Sequence, residues 1–375
     1  EGGLSFKVTL SNISVKEYTS ADMDVTRATD ATRVNESGLI EDVLANVPRI
    51  DYTGGGCPHI LAEPQRTNLL PYSEDFANSD WTKNAGTTIT PNYAISPNGN
   101  LNASRYLGTG ASGIGDKFTL NPVSHTLSFF VKSNNGVNQF CTITGESSNR
   151  SSDLLVTTEW SRITHTFTAS GLSDKTNGIF RDSNNNDIDI LIWGAQLEEG
   201  AYPTSYIPTS GQSGGVTRNQ DIFTRDGIGS LINSTEGVLF VEMAALSDDS
   251  TRRAITLSDG TTNNRLVLRY KDSSSTIESF IVVANNLYGY ISENSYTITN
   301  FLKIAYKWKA GDFTLWINGV EVATSADATS FGAGVLTQMQ FNDGDGAGNE
   351  YFGKVRQLQV YDTALTDDTL ALLTT

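Results

Sequence analysis

The stretch Asp189-Ile-Leu-Ile-Trp-Gly-Ala-Gln-Leu-Glu-Glu-Gly-Ala-Tyr-Pro-Thr-Ser-Tyr-Ile-Pro-Thr209 marks the place where this chain changes character. An apolar strand that ends at Trp193 leads into a segment with Pro203 and Pro208, and each proline restricts the residue before it to an extended conformation. A run rich in glycine and serine follows at 210–215. This order predicts the end of one domain and the start of a linker.

Composition narrows the class of protein. A chain of 375 residues exceeds one hydrophobic core, so two domains are expected. The 34 glycines, together with the lack of an apolar run near the roughly 18–20 residues of a membrane span, indicate an all-β protein that does not insert into membranes. The net charge of -16 would repel phosphate groups, which argues against nucleic acid and anionic membranes as partners.

A weak internal repeat connects this stretch with the start of the chain. Val25-Thr-Arg-Ala-Thr-Asp30 and Val216-Thr-Arg-Asn-Gln-Asp221 share the pattern Val-Thr-Arg-x-x-Asp, and each follows a predicted last strand and an exit segment. The strand before the first copy has no partner upstream of it. We therefore expect residues 1–17 to be the last strand of a preceding domain. We also expect Tyr202 and Tyr206 to pack against a domain or a neighbouring subunit.

The rest of the chain divides into three parts. Residues 18–68 hold short apolar pieces between turn residues, which predicts a strand-poor adaptor that neighbouring domains order. Residues 69–208 and 209–375 show the short strands and frequent turns of two tandem antiparallel β-sandwiches of the jelly-roll type. Asn318-Gly319 predicts a two-residue hairpin, and residues 366–373 predict a short C-terminal helix with a threonine N-cap. The strands predicted in the first sandwich are 104–107, 117–120, 126–131, 139–144, 161–167 and 188–193.

Three groups of passages resemble known families. Phe313-Thr-Leu-Trp-Ile-Asn-Gly-Val-Glu-Val322 and Gly353-Lys-Val-Arg-Gln-Leu-Gln-Val-Tyr-Asp-Thr-Ala-Leu-Thr-Asp-Asp368 resemble the closing half of concanavalin A-like lectin or laminin-G domains, including the pentraxins. Residues 69–208, with Trp160-Ser-Arg-Ile-Thr-His-Thr-Phe167, look like jelly-roll carbohydrate-binding modules. Glu63-Pro-Gln-Arg-Thr-Asn-Leu-Leu-Pro-Tyr-Ser-Glu-Asp-Phe76 and the opening stretch are similar to segments of bacteriophage tail-fibre and receptor-binding proteins.

These resemblances imply a virion appendage, outside the cell, that adheres to a host-surface glycan. They further imply a homotrimer and contacts with other tail proteins. Two alternatives stay open: a structural, trimerising spacer of a phage tail, and an accessory region of a secreted bacterial adhesin or polysaccharide-degrading enzyme. No predicted strand carries the paired acidic residues that a glycoside hydrolase needs, and the three histidines are scattered, so neither enzyme activity nor catalytic residues are expected.

Sugar binding requires an exposed aromatic face beside hydrogen-bonding groups. Trp81, Tyr288 and Tyr290 lie in polar, loop-like surroundings and are the candidate ligand-binding residues. A packing role is the alternative for each of them.

One acidic loop is a candidate metal site. Residues 341–350 lie between the two strands that flank a calcium-dependent ligand site in pentraxin-like lectins, as the resemblance implies. Calcium prefers hard oxygen ligands, and glycines would let the loop wrap around an ion. The candidate ligands are Asn342, Asp343, Asp345, Asn349 and Glu350. Calcium is therefore the one candidate cofactor, and a flexible acidic hairpin loop is the alternative.

Overall fold

The computed structural model describes residues 23–375, which are built mainly of β-strands. The strand expected over residues 1–17 lies outside the described residues. The strands that precede the first sandwich are β1 Asp24–Thr26, β2 Ala31–Val34, β3 Ile40–Val43, β4 Ile50–Asp51, β5 His59–Ala62 and β6 Arg66–Asn68. The strands of the first sandwich are β7 Thr82–Lys83, β8 Thr87–Ile95, β9 Leu101–Gly108, β10 Gly113–Phe118, β11 Ser124–Ser133, β12 Gln139–Gly145, β13 Asn149–Arg150, β14 Leu154–Val156, β15 Ser161–Thr168, β16 Lys175–Arg181 and β17 Ile188–Glu199.

The second part of the chain continues in the same way. Its elements are β18 Val216–Arg218, β19 Ile222–Arg225, β20 Glu236–Ala245, β21 Arg253–Ser258, β22 Arg265–Tyr270, β23 Ile277–Val283, β24 Asn286–Glu293, β25 Leu302–Lys309, β26 Phe313–Ile317, β27 Val320–Ser325, β28 Gln338–Gln340, β29 Gly353–Tyr361 and the helix α1 Asp367–Thr374. No helix within residues 23–375 has the length and hydropathy to cross a membrane.

The first sandwich packs a five-stranded sheet, in the order β15-β11-β17-β9-β8, against a sheet in the order β13-β12-β16-β10-β7, with β14 added beside β12. Every named pair of strands is antiparallel. Alternate residues of each strand point inward, so Phe129, Ile143 and Ile190 are fully buried in one shared core. The expected all-β jelly-roll architecture is confirmed.

The second sandwich is made of two seven-stranded sheets, in the orders β1-β19-β28-β21-β22-β23-β24 and β27-β26-β25-β20-β29-β5-β4. Tyr270, Tyr306 and Trp308 are fully buried between them. The predicted hairpin is confirmed, because Asn318 and Gly319 have φ of 50° and 82° and join β26 to β27. The predicted C-terminal helix is confirmed as α1, which Thr366 caps by accepting from the amide of Thr369.

The adaptor over residues 18–68 is not strand-poor, contrary to the expectation from sequence. Strand β1 extends one seven-stranded sheet by pairing with β19, and β4 and β5 extend the other by pairing with β29. The boundary expected at residue 209 therefore does not enclose the second sandwich, since three of its strands precede it. Pairing of this kind depends on partners far away in the chain, which a local pattern of short apolar pieces does not reveal.

A buried cluster of five charged side chains joins the parts of the chain. Arg27 Nη1 lies 2.8 Å from Asp221 Oδ1, and Arg49 binds both Asp221 and Glu63. Arg218 Nη1 lies 2.8 Å from Glu63 Oε2. All five side chains are at most 4% exposed. Arg27 comes from the first copy of the Val-Thr-Arg-x-x-Asp motif, and Arg218 and Asp221 come from the second, so the two copies meet in space.

The two carboxylates of this cluster offset two of its three guanidinium charges. Burial by itself would raise the pKa of Glu63, but the guanidinium groups of Arg218 and Arg49 and the hydroxyl of Ser205 outweigh it and hold that pKa well below its usual range. Glu63 is therefore a carboxylate in the folded chain, and removal of its charge leaves Asp221 as the one carboxylate of the cluster facing three buried guanidinium groups.

The extended arm that follows the first sandwich packs as expected. The ring centroid of Tyr206 lies 4.6 Å from that of Trp193, and its hydroxyl lies 2.6 Å from Ser73 Oγ. Tyr202 is half-buried beneath the guanidinium of Arg66, which lies 5.5 Å from the ring centroid. The predicted packing of both tyrosines is confirmed. The extended arm that carries them is therefore packed against neighbouring residues of the protein and is not a free linker.

We predict that Glu63→Gln lowers the free energy of unfolding by about 3–5 kcal/mol at neutral pH, because it leaves the three buried arginines of the cluster with one carboxylate. Glu41→Gln is the matched control, since it breaks the exposed Arg33–Glu41 pair and should cost at most about 1 kcal/mol. Denaturant unfolding of the three proteins measures both differences.

The pH dependence gives this prediction a second measurement. Because the folded pKa of Glu63 is depressed, its contribution is fully present above the unfolded pKa of about 4.3 and is lost as the pH falls further. The difference between the natural protein and Glu63→Gln should therefore shrink below about pH 4. A difference that does not shrink as the pH falls below about 4 would contradict the assignment.

Candidate functional site

An open cleft of about 490 Å³ lies on the outer face of the β13-β12-β16-β10-β7 sheet. The alternation of the strands shows which face this is. In β16, Ile179 points into the core and Phe180 points to the opposite side. In β12, Ile143 points inward and Thr144 outward. The lining consists of Asn84, Ala111, Ser112, Thr144, Ser147, Ser148, Arg150, Thr176, Phe180, Arg181 and Asn185.

Glycines open the floor of this cleft. Gly113 pairs with Phe180, and a Cβ at position 113 would lie 2.0 Å from the ring carbon Cδ1 of Phe180. A Cβ at Gly178, in the neighbouring strand, would lie 2.1 Å from the carbonyl oxygen of Ile114. Any larger residue at position 113 would displace the ring. The bare backbone lets Phe180 lie across the sheet with part of its face exposed to the cleft.

Polar groups surround the phenylalanine ring. Arg150 Nε donates to Thr142 Oγ1 at 2.9 Å, and Arg181 Nη2 donates to Asn185 Oδ1 at 3.1 Å, so both guanidinium groups are held in place. Asn84 is exposed, and its side-chain amide makes no hydrogen bond to any residue of the described chain. An amide of this kind is available to a ligand.

The combination matches what sugar binding requires. An aromatic face can stack on the C–H side of a sugar ring while amides and hydroxyls bind its hydroxyl groups. None of the residues that line the cleft is Asp or Glu. Glycosidic bond cleavage uses a pair of carboxyl groups, so the lining of this cleft provides binding groups rather than that chemistry.

Sequence reasoning missed this site because it missed strand β16. The strand contains Asn177 and Gly178, which are both disfavoured in strands, and it therefore resembles a loop. The signal that could have revealed it is the short apolar pair Ile179-Phe180 directly before the turn-forming run 182–187. The strand predicted at 117–120 also started too late, because the corresponding strand β10 begins at Gly113.

The prediction of Trp81 as a ligand-binding residue is wrong. Its side chain is 2% exposed, and its ring centroid lies 5.1 Å from that of Phe76 and 6.2 Å from that of Phe129. The indole Nε1 donates to the carbonyl oxygen of Tyr72 at 2.8 Å. Both its faces and its polar group are used inside the first sandwich, so the alternative packing role holds.

The two other candidate aromatic residues lie in the second sandwich, on β24, and not in the cleft. Tyr288 is half-buried and packs against the core. Tyr290 is 41% exposed, and its ring centroid lies 6.2 Å from that of Phe280. Its hydroxyl donates to Glu278 Oε2 at 2.9 Å. Tyr290 therefore stays a prediction as a ligand-binding residue, whereas Tyr288 has a packing role in the structure.

The acidic loop does not gather its oxygen atoms into a metal site. The carboxylate of Asp343 lies 3.3 Å from Arg265 and 3.8 Å from Arg269, and it also accepts from the side-chain amide of Asn349. Asn342 Oδ1 accepts from the backbone amide of Gly344 at 2.8 Å. The loop is thereby fastened to the outer face of β22.

The remaining two candidate ligands bind the loop itself. Asp345 Oδ1 accepts from the amide of Ala347 at 3.3 Å, and Glu350 Oε1 accepts from the amide of Gly348 at 3.2 Å. Within residues 23–375, no three His, Cys, Asp or Glu side chains are placed so that they could hold a metal ion. The expected five-residue ligand set is thus corrected, because Asp343 faces two arginines, and Asn342, Asp345 and Glu350 each accept from a backbone amide of the loop.

Both parts of the chain are antiparallel β-sandwiches, which is the architecture of many lectin-like domains. Residues 239–371 match a family model described as the concanavalin A-like lectin/glucanases superfamily. The expectation of such a fold in the second sandwich is thereby confirmed. No curated protein sequence matches the chain.

Solved structures with a similar fold include several carbohydrate-related proteins. The CBM40 domain of the Ruminococcus gnavus IT-sialidase, bound to alpha2,3 sialyllactose, is 16% identical, with 39% of this chain and 86% of that chain covered and a TM-score of 0.33. Domain 4 of an extracellular arabinanase from Geobacillus stearothermophilus, in complex with arabinotriose, is 14% identical, with 42% and 73% covered and a TM-score of 0.34. A heptameric pentraxin from Limulus polyphemus is 15% identical, with 38% and 71% covered and a TM-score of 0.31. At these values the similarities say nothing about a ligand of this chain.

We predict that about 10 mM calcium leaves the thermal unfolding midpoint of the chain unchanged, because arginines hold the Asp343 carboxylate. Extracellular calcium modules bind with dissociation constants of about 10⁻⁴–10⁻³ M, so an intact site would raise the midpoint by about 3 °C or more. Calorimetry with calcium and, as a control, with magnesium measures the shift. A rise of the unfolding midpoint that is specific to calcium and that Asp343→Asn abolishes would show that the loop does bind calcium.

Proposed function

We propose that this chain binds carbohydrate without cleaving it, through the cleft on the outer face of the first sandwich. The observation that supports this most strongly is the half-buried ring of Phe180, exposed over bare glycine backbone and ringed by amide, hydroxyl and guanidinium groups. The match of residues 239–371 to a lectin/glucanase superfamily gives the second sandwich a fold that is widely used for sugar binding.

More specifically, we propose that the chain is part of a bacteriophage tail fibre that attaches the virion to a host-surface glycan outside the cell. It would act as a homotrimer together with other tail proteins. The segments around Glu63 and Tyr206, which carry the sequence resemblance to tail-fibre proteins, are the ones that build the joint between the sandwiches. Several copies of a weak site in one assembly raise the overall affinity well above that of a single cleft.

Two other roles are kept as alternatives. A structural, trimerising spacer is favoured by the buried charge cluster, which fixes the sandwiches to the segment before them and suits a rod-like part. An accessory region of a secreted bacterial adhesin or polysaccharide-degrading enzyme would use the same cleft for binding. A spacer predicts no glycan binding by the full chain, whereas the accessory role predicts binding to a substrate polysaccharide rather than to host cells.

We predict that Phe180→Ala lowers glycan affinity about tenfold or more, because the sugar loses its stacking surface. Since the ring is half-buried at the surface, the free energy of unfolding should change by only about 1 kcal/mol. A glycan array and intact host cells identify ligands of the full chain, and calorimetry measures their affinities.

Tyr290→Ala is the matched control, because it removes an exposed aromatic ring from the second sandwich. Loss of binding with Tyr290→Ala alone would move the site to the second sandwich. No binding of the natural chain to any glycan or cell would overturn the proposed function in favour of a spacer. Sedimentation equilibrium tests the trimer separately, since it should give three times the mass of one chain.

A further inference from the structure

The cleft on the first sandwich concentrates positive charge in an acidic protein. The whole chain carries 42 Asp and Glu against 26 Lys and Arg. The cleft lining reverses this balance, because it contains Arg150 and Arg181 and no acidic residue. Because the chain as a whole is negatively charged, a positively charged cleft needs an explanation in the residues that line it.

Both guanidinium groups bind only neutral oxygen atoms. Arg150 Nη2 donates to the carbonyl oxygens of Arg181 and Asp182 at 2.7 and 3.0 Å. Its Nε donates to the hydroxyl of Thr142. Arg181 donates to the carbonyl and side-chain oxygens of Asn185. These bonds orient the two groups and leave their positive charges without a carboxylate partner.

The other arginines of the chain show how unusual this is. Within residues 23–375, the arginines that have no carboxylate oxygen within 4.0 Å are Arg150, Arg162 and Arg181. Arg162 lies over the ring of Phe130 and donates to the carbonyl oxygen of Thr204, away from the cleft. The two remaining arginines without an ion pair are therefore both in the cleft.

Acidic residues in the adjoining turns do not serve as ion-pair partners of Arg150 or Arg181. Asp153 accepts from the amide and hydroxyl of Ser183 at 2.7 and 2.6 Å. Asp182 accepts from the amide and side chain of Asn186 at 2.9 and 2.6 Å. Neither carboxylate forms an ion pair with Arg150 or Arg181 within 4.0 Å; the pKa of Asp153 is lowered by its bonds to Ser183 and, to a smaller extent, by the charge of Arg150.

We propose that the sugar recognised in this cleft is acidic, with a carboxylate or a sulfate ester that binds the exposed Arg150; Arg181 also lines the cleft, but it is only 8% exposed and lies on the same side of β16 as Ile179. This inference rests on the proposed function and names the class of ligand for the same site. Phe180 stacks on the C–H face of the sugar ring, the guanidinium group of Arg150 binds the anionic group, and the amide of Asn84 binds a hydroxyl. Guanidinium groups match the geometry of both carboxylate and sulfate oxygens, so the two sources share one chemistry.

The test begins with the full chain on an array of neutral, uronic-acid-containing and sulfated oligosaccharides. Calorimetry then compares the strongest acidic ligand with its carboxyl-reduced or desulfated form, which distinguishes the carboxylate from the sulfate. We expect removal of the anionic group to weaken binding about tenfold or more. Arg150→Gln should weaken binding of the acidic form by a similar factor and leave binding of the neutralised form nearly unchanged.

Two further variants guard against misfolding and unspecific charge effects. Arg150→Lys keeps the charge and should recover part of the affinity, whereas a purely structural arginine would not be rescued. Arg252→Gln removes the same charge from an exposed ion pair in the second sandwich and should leave binding unchanged. Unfolding midpoints of all variants show whether the fold is kept.

Each possible outcome of these binding measurements either supports or overturns the acidic-sugar inference. Binding to neutral glycans that depends on Phe180 but not on Arg150 would overturn the acidic-sugar inference and leave the proposed function standing. Binding to acidic glycans that is equally lost with Arg252→Gln would show an unspecific charge effect and would also overturn it. Binding to no glycan at all would overturn both.

Discussion

Five charged side chains, buried where the two sandwiches meet, join the segment before the first sandwich to the segment after it. Arg27, Arg49 and Arg218 surround the carboxylates of Glu63 and Asp221. Taking an ion out of water costs several kcal/mol, and close pairing compensates for this only when every partner is present. Because these residues come from three separate segments, the segment before the first sandwich becomes ordered together with the sandwiches. This explains how a stretch without its own core holds one conformation.

Local chemistry made much of the architecture predictable. The Asn318-Gly319 hairpin and the cap of α1 follow from the conformations that these residues prefer. Alternating apolar residues predicted two sandwiches, and the repeated Val-Thr-Arg-x-x-Asp motif marked the segments that follow a last strand. What the motif did not show is that Arg27 of one copy would bind Asp221 of the other, because the contact depends on how the chain returns on itself.

The candidate site was harder to predict, since its residues were invisible or misleading in the sequence. The cleft depends on Gly113 and Gly178, which weaken strand propensity and so hide the start of β10 and the strand β16 that carries Phe180. Trp81 lay in a polar segment yet fills the core, and Asp343 lay in an acidic loop yet binds arginines. Polar sequence surroundings indicate where the chain turns, but exposure and charge pairing are decided by residues that are distant in sequence.

The early strands β1, β4 and β5 cover edges of both sheets in the second sandwich, and this determines how the chain can be divided. A truncated fragment that begins at residue 209 would lack them and would expose the backbone amides and carbonyls of β19 and β29 along open edges. Open edges recruit strands from other molecules, so such a fragment should aggregate. The smallest autonomous folding unit that includes the second sandwich therefore begins no later than β1.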